Sequence, residues 1–470
     1  MFEPIIIPFW ILVLLLFFAI IAFLDRIFAP SVRWFFRRRV NTAIDELNAR
    51  LDTRIQPFKL TRKQSLVDQL MYDPHVISAA EEEANREGTP LQVVMRKAER
   101  YAKEIVPSFS PLAYFGFGTR ISKWMSEFIY RVRLGYIDDE KLKAIDADSS
   151  VIFVMNHRSN MDYILVTYLA STRTTLSYAV GEWARVFGLQ TLIRAMGAYF
   201  IRRSSGNELY RRVLARYVSM ATREGVTQAV FPEGGLSRDG KLQPAKLGLL
   251  SYMLSDFSSA NGRDIVFVPV GINYDRTLED RILTAKKEAE HSGRDFRFKL
   301  STTLSFLLNL VRRRFAGRLY RMGYACVSFG NPISMKGWLH DEKIQFDKQT
   351  QEKRFETIQA LGQHLIDEVG AVVPVLPVAL VATVFAERTD DGTIDELTLK
   401  AAVSDLITEL ETKGNHVHIP REDMDYAIST GLRMLLMRHI LLEPDEGTYR
   451  ANAEEKILLD YYANSISHLR

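Results

Sequence analysis

The stretch "NHRSNMDYIL", Asn156 to Leu165, puts His157 and Asp162 close together in an otherwise apolar neighbourhood. On one continuous helix the five steps between them, about 100° each, would turn the two side chains roughly 140° apart, so they cooperate only across a bend. Across a bend the pair has a defined chemistry. A neutral imidazole takes a proton from a hydroxyl when its other ring nitrogen is held in one tautomer, and an aspartate provides that hydrogen bond. No Gly-x-Ser-x-Gly elbow accompanies the pair, because "GGLSRDG" places its last glycine one residue too far. Direct transfer to an acceptor hydroxyl is therefore expected over a covalent serine intermediate or hydrolysis.

Three further stretches end apolar runs on polar residues that a merely structural sheet does not need. "GAYFIRR" ends on Arg202 and Arg203, "VFPEGGLSRDGK" carries Glu233, Gly234, Gly235, Ser237, Arg238 and Lys241, and "VPVGINYD" ends on Tyr274 and Asp275. A guanidinium donates two parallel charge-assisted hydrogen bonds to a phosphate, and a glycine-rich turn offers backbone N–H groups with no side chain in the way. The combination implies a small phosphate-bearing substrate.

These residues need elements to position them. "SVIFVM" before His157 is the β-branched, apolar run of a buried strand, and "MDYILVTYLA" after it suits a helix, so His157 is expected at a strand's carboxyl end and Asp162 in the first helical turn. From about Ser149 to Met335 such runs ("AYFIRR", "TQAVFPEG", "DIVFVPVGINYD", "YACVSFG") alternate with helical patterns. This alternation predicts a mixed α/β domain with a largely parallel sheet, in which ligands bind at the carboxyl ends of the strands. The chain divides into a membrane anchor and basic segment (1–39), a helical region (40–110), a catalytic domain (111–335) and a helical C-terminal region (336–470). "AVVPVLPVALVATVFA", Ala371 to Ala386, carries Pro374 and Pro377 and reads as core or a membrane-contacting element rather than a span. "FLLNLVRRRF", Phe306 to Phe315, reads equally as a basic amphipathic segment on a bilayer or as a buried helix ending in solvated arginines.

Composition narrows the partners. The chain has 470 residues, 47% hydrophobic and 25% charged, which is ordinary for a globular protein of two or three domains. Its single cysteine, Cys326, forms no intramolecular disulfide and lies in a strand-like run, so it reads as a packed thiol. A net charge of +4 without a basic, aromatic-interleaved stripe argues against nucleic acid and is compatible with anionic lipid. Pro4 to Leu24 carries no charge and as a helix is about 32 Å long, enough to cross a hydrocarbon core, with an in-plane hairpin or monotopic insertion, helped by Pro4 and Pro8, as the alternative. Only Glu3 precedes it, which argues against a cleaved signal peptide, while Arg26, Arg33, Arg37, Arg38 and Arg39 follow it. The positive-inside rule then puts the rest of the chain in the cytoplasm.

In this order, His157 with Asp162, "GAYFIRRSSGNELY", "FPEGGLSRDGK" and "VPVGINYD" resemble the four blocks of the glycerolipid acyltransferases. The second block with "GNELY", together with "HRSNMDY" and the double glycine after Glu233, is similar to the glycerol-3-phosphate acyltransferase branch. The resemblance runs from about Pro74 to Ala386. It implies that His157 is the base and Asp162 its partner, and that Arg203, Glu233, Ser237 and Arg238 contact glycerol 3-phosphate on a turn shaped by Gly234 and Gly235. Arg202 and Lys241 join these as candidate substrate-binding cations. Leu236 departs from the pattern, since the family's third block commonly has arginine there. The expected activity is transfer of a fatty acyl group from acyl-CoA or acyl carrier protein to the 1-hydroxyl of glycerol 3-phosphate, giving lysophosphatidate, with no cofactor and no metal. The expected location is the cytoplasmic face of a membrane, the bacterial inner membrane. Acylation of lysophosphatidate or another lysophospholipid is the alternative. A silent lipid-binding protein is disfavoured by the intact His157 and Asp162.

Overall fold

All six side chains of β2 (Ser150–Met155) are buried, and the strand sits inside a sheet where both faces are covered. The computed structural model describes residues 48, 51, 54–171, 173–181, 189–202, 206–291, 321–388 and 392–470. The anchor at 4–24, its arginines, Arg203 and the segment 306–315 lie outside the described residues.

The eight-stranded sheet runs in the order β1 (Arg131–Ile137), β7 (Tyr324–Phe329), β6 (Ile265–Tyr274), β2, β5 (Gln228–Val230), β3 (Ser177–Val180), β4 (Tyr199–Phe200), with β8 (Ile333–Ser334) paired to β6. Five of the pairings are parallel and only β6 with β7 and β6 with β8 are antiparallel. The mixed, largely parallel α/β sheet expected from the alternation is thus the observed one. Strands β1 and β3 were not expected. "RVRLGYI" is half exposed at the sheet edge and lacks the continuous apolar run that marks an inner strand.

Alternation along β2 divides the layers. Ile152 and Val154 join a core with the helices Lys63–Met71, Pro74–Glu87, Leu91–Ile105 and Glu208–Arg223, while Val151, Phe153 and Met155 face the layer holding the helix Asp162–Ala170. Local capping fixes the first set. Asp73 accepts from the N–H of His75 at the start of Pro74–Glu87, Gly88 ends that helix at φ +61°, and Asn207 caps Glu208–Arg223.

The helix Gln351–Ala371 packs in the same core as the N-terminal helices, through Leu361, Leu365 and Val369. A third core, from Val375 to Leu469, is built round the helix Pro377–Ala386, which lies against Met424–Leu436 and Lys456–Asn464. Eight of its ten residues are buried, so the proline-bearing apolar segment is core. Pro377 stands at its first turn, where a missing N–H costs nothing. Gly271 on β6 lets the main chain at Val372 approach closely, because a Cβ there would strike the Val372 carbonyl. Cys326 is buried on β7, and burial pushes its thiol up to about 12, as suits a packed thiol.

Candidate active site

At the carboxyl end of β2 the chain leaves the sheet and bends into the helix Asp162–Ala170, bringing the two residues of the opening pair together. His157 Nδ1 lies 2.9 Å from Asp162 Oδ2, with the side chains 1% and 0% exposed. The same oxygen accepts the backbone N–H groups of Arg158 at 2.8 Å and Ser159 at 3.0 Å, and Oδ1 accepts the Tyr274 hydroxyl at 2.7 Å. Four donors hold this buried carboxylate in one orientation, which is what a buried charge requires. Nδ1 is committed, so Nε2 is the nitrogen left for a substrate proton. The imidazole stacks on Phe231, ring centroids 4.1 Å apart, and meets the edge of Tyr163 at 5.5 Å. Its rotation is therefore restricted.

The turn after β5 supports the histidine from below. Glu233 Oε1 accepts the N–H of His157 at 2.8 Å and Oε2 that of Gln243 at 3.1 Å, while Ser237 N–H donates to the His157 carbonyl at 2.9 Å. Burial pushes the Glu233 carboxyl up to about 7, against the opposing pull of Arg158 and the two N–H groups. Of the residues that the resemblance assigns to glycerol 3-phosphate, Glu233 and Ser237 are thus turned into the loop. Ser237 Oγ donates to the Lys241 carbonyl at 2.8 Å and the residue is 1% exposed.

Gly234, Gly235, Leu236 and Arg238 instead line a cavity of about 670 Å³, with Phe231, Arg202 and Lys246. Gly234 needs its glycine: φ is +69° and a Cβ would lie 2.6 Å from Lys246 Cδ. Leucines 214, 249, 250, 283 and 365 complete an apolar wall. Leu236 is half-buried on this wall. The structure brings Arg202 to the rim, but its guanidinium is already gripped by Glu104, at 2.9 and 2.6 Å, between the rings of Tyr101 and Tyr210. Lys241 is exposed and is not among the cavity residues, whereas Lys246, overlooked in the sequence, is. Nothing in "QPAKLG" singles it out; only the fold-back that bonds its N–H to the Pro232 carbonyl at 2.8 Å puts it there.

Asp275 is not at this edge as a ligand. It is fully buried, accepts the N–H of Tyr324 at 2.7 Å and of Val378 at 3.1 Å, and so ties β6 to the C-terminal helices. Arg158, also missed, is 2% exposed and donates to the carbonyls of Gly240 and Ser465, the latter at 3.2 Å. Glu279 accepts from Ser159 Oγ at 2.7 Å and from Asn160 Nδ2 at 3.1 Å, fixing the bend itself.

Burial pushes Glu279 up to about 7 from 4.5, against the hydrogen bonds from Ser159 and Asn160. A carboxyl whose folded pKa is raised stabilises nothing below the unfolded value, where both states are protonated. As pH rises through 4.5 toward 7 the unfolded chain ionises first, so stability falls and then levels off. Glu279→Gln removes that slope. Between about pH 5 and pH 8 the variant should gain on the order of 2 kcal/mol relative to the parent, read as a growing difference in thermal midpoint. A difference that stays constant with pH contradicts the buried-acid assignment.

With this geometry in view, comparison with known proteins gives a consistent result. Residues 136–273 match the family model described as Acyltransferase, and residues 307–470 match that of the glycerol-3-phosphate acyltransferase C-terminal region. Similar curated proteins are glycerol-3-phosphate acyltransferases of Pseudomonas entomophila, 30% identical over 429 residues, of Pseudomonas putida, 29% over 425, and of Aeromonas hydrophila, 28% over 424. Each alignment takes 87% of this chain and 49–50% of the relative, so the chain spans about half the length of the curated relatives it matches. Among solved structures, a 1-acyl-sn-glycerophosphate acyltransferase from Thermotoga maritima aligns with 59% of this chain and 83% of its own, at 19% identity and a TM-score of 0.31. The two family models and the curated relatives thus show the similarity to glycerol-3-phosphate acyltransferases.

Proposed function

We propose, from the premise that this chain carries an acyltransferase domain joined to a C-terminal region of the glycerol-3-phosphate acyltransferases, that it moves a fatty acyl group from an acyl thioester to the 1-hydroxyl of glycerol 3-phosphate. The observation that carries this reading is His157, paired with Asp162 and stacked directly behind Phe231, the ring that lines a cavity presenting Arg238 and Lys246. Nε2 takes the hydroxyl proton as the oxygen attacks the thioester carbonyl. Collapse of the tetrahedral species breaks the carbon–sulfur bond, and the imidazolium returns the proton to the departing thiolate. The nearby carboxylate of Asp162 stabilises the imidazolium in between. Arg238 and Lys246 suit the acceptor's phosphate, and the leucine wall suits a fatty chain. Coenzyme A and acyl carrier protein both present the required thioester.

A second reading has one observation in its favour. Leu236 lies on the cavity wall, where it can line a path for an acceptor's own acyl chain, as lysophosphatidate would need. The assay that decides uses purified protein, one acyl donor and both acceptors at matched concentration. Glycerol 3-phosphate should be acylated in clear preference, and Leu236→Arg should leave that order unchanged. Faster turnover of lysophosphatidate sinks the assignment and promotes the second reading.

The reading includes a membrane location. Among the described residues no helix is long and apolar enough to cross a bilayer. The proposed anchor is Pro4 to Leu24, followed by Arg37, Arg38 and Arg39, which orient the catalytic domain toward the cytoplasm. Protease added outside intact cells should leave the catalytic domain whole, and a chain starting near Arg37 should remain partly membrane-bound. Cleavage of the domain from outside would reverse the orientation.

A further inference from the structure

A second cavity, of about 410 Å³, opens at the opposite edge of the sheet, between β1 and the loop that precedes the helix Met424–Leu436. Four arginines converge on it: Arg131 and Arg133 from β1, Arg321 from the approach to β7, and Arg421 from the C-terminal region. Among the described residues none of the four is paired with a carboxylate. Other arginines of this protein do meet carboxylates, Arg202 with Glu104 at 2.6 Å, Arg216 with Asp73 at 3.0 Å, Arg281 with Glu455 at 2.8 Å and Arg438 with Asp280 at 2.6 Å, whereas these four stand together without one. The one acid in the lining, Glu127, already accepts the Tyr168 hydroxyl at 2.9 Å and has Lys123 at 3.9 Å.

Aromatic rings hold these cations side by side. Arg131 and Arg133 sit over the same ring, Tyr324, at 5.7 and 5.5 Å, and Arg421 covers Tyr426 at 4.2 Å. Arg131 also donates to the Tyr426 hydroxyl at 2.8 Å. Burial acts to raise that hydroxyl's pKa, yet the hydrogen bonds from Arg131 and Tyr324 and the charges of Arg131 and Arg421 hold it below its ordinary range. Arg421 is kept at φ +64°, a left-handed conformation costly for a residue with a Cβ. Like charges gathered in one open cleft repel, and an anion with several acceptor oxygens removes the repulsion. A carboxylate balances one charge, whereas a phosphate offers more charge and a tetrahedral set of acceptors for several guanidinium forks. The cavity exceeds what a bare phosphate fills, leaving room for a substituent on it.

We infer that the cleft between β1 and the Arg421 loop is a second, non-catalytic binding site for a phosphate-bearing anion, either a phospholipid headgroup or a soluble phosphate compound. It is built from other strands and loops than the His157 site and does not depend on the acyl-transfer reading. The test uses the full chain in detergent and the double variant Arg133→Gln with Arg421→Asn, asparagine being chosen because it tolerates the left-handed backbone. One arm follows the thermal midpoint with inorganic phosphate against chloride at equal ionic strength. The other compares mixed micelles of phosphatidylcholine alone with micelles containing phosphatidylglycerol. The parent should be stabilised by phosphate, by phosphatidylglycerol or by both, and the double variant's apparent affinity for the stabilising species should fall about tenfold or more. Stabilisation by phosphatidylglycerol alone identifies the headgroup as the source, and by inorganic phosphate the free anion. A parent that responds to neither, or a double variant that responds as the parent does, overturns the inference.

Discussion

Replacing His157 by alanine should lower the rate of acyl transfer by roughly 10² to 10⁴, the range attributed to a general base, with the thermal midpoint showing that the chain remains folded. The residue is buried, but its main chain is held independently of the ring, by Glu233 on its N–H and by Ser237 on its carbonyl. Asp162→Asn is the sharper test. Its amide oxygen can keep the acceptor role toward His157 Nδ1 and the N–H groups of Arg158 and Ser159, while the amide nitrogen donates to the Tyr274 hydroxyl. The geometry then survives and the negative charge is lost. Activity should fall because the imidazolium formed during transfer is no longer stabilised, with little change in the Michaelis constants. Tyr274→Phe removes one donor to the same carboxylate and should cost less than either. Transfer at an unchanged rate in the purified His157→Ala protein would remove the histidine from the mechanism.

Arg238→Ala should raise the Michaelis constant for glycerol 3-phosphate about tenfold to a hundredfold and leave that for the acyl donor nearly unchanged. A charge-assisted contact to phosphate contributes roughly 1.5–3 kcal/mol, and only the acceptor is proposed to place its phosphate among the cationic residues of this cavity. Lys246→Ala should act in the same direction but less, since an ammonium lacks the guanidinium's paired donors. Arg203 carries the same expectation from the resemblance. The Arg202 guanidinium is gripped by Glu104, so Arg202→Ala should lower stability by detaching the helix Leu91–Ile105 from β4, with a smaller effect on the acceptor. Equal effects of Arg238→Ala on both substrates would assign Arg238 a structural role.

The sequence by itself determined most of the inner strands and the meeting of His157 with Asp162. An apolar β-branched run followed by a helical pattern fixes a strand, a bend and a helix from local preferences alone, and His157 and Asp162 are close enough in the chain for that bend to bring them together. The long β6 strand was legible for the same reason. Strand β1 was not, because an edge strand keeps polar residues on its open side. What holds the pair in place belongs to the tertiary structure. Tyr274 reaches Asp162 across 112 positions, Glu279 reaches Ser159 across 120, and Arg158 joins the bend after β2 to Ser465 across 307. Glu233 and Ser237 carry the residue types of substrate ligands, yet the fold turns them toward the backbone of His157 and of their own loop. Residue type says what a group can bond, whereas a buried polar group takes whichever partner packing brings within reach. Long-range contacts of that kind leave no periodicity in the chain, so only the packed sheet and the C-terminal helices behind it decided which polar residues serve the cavity and which serve the scaffold.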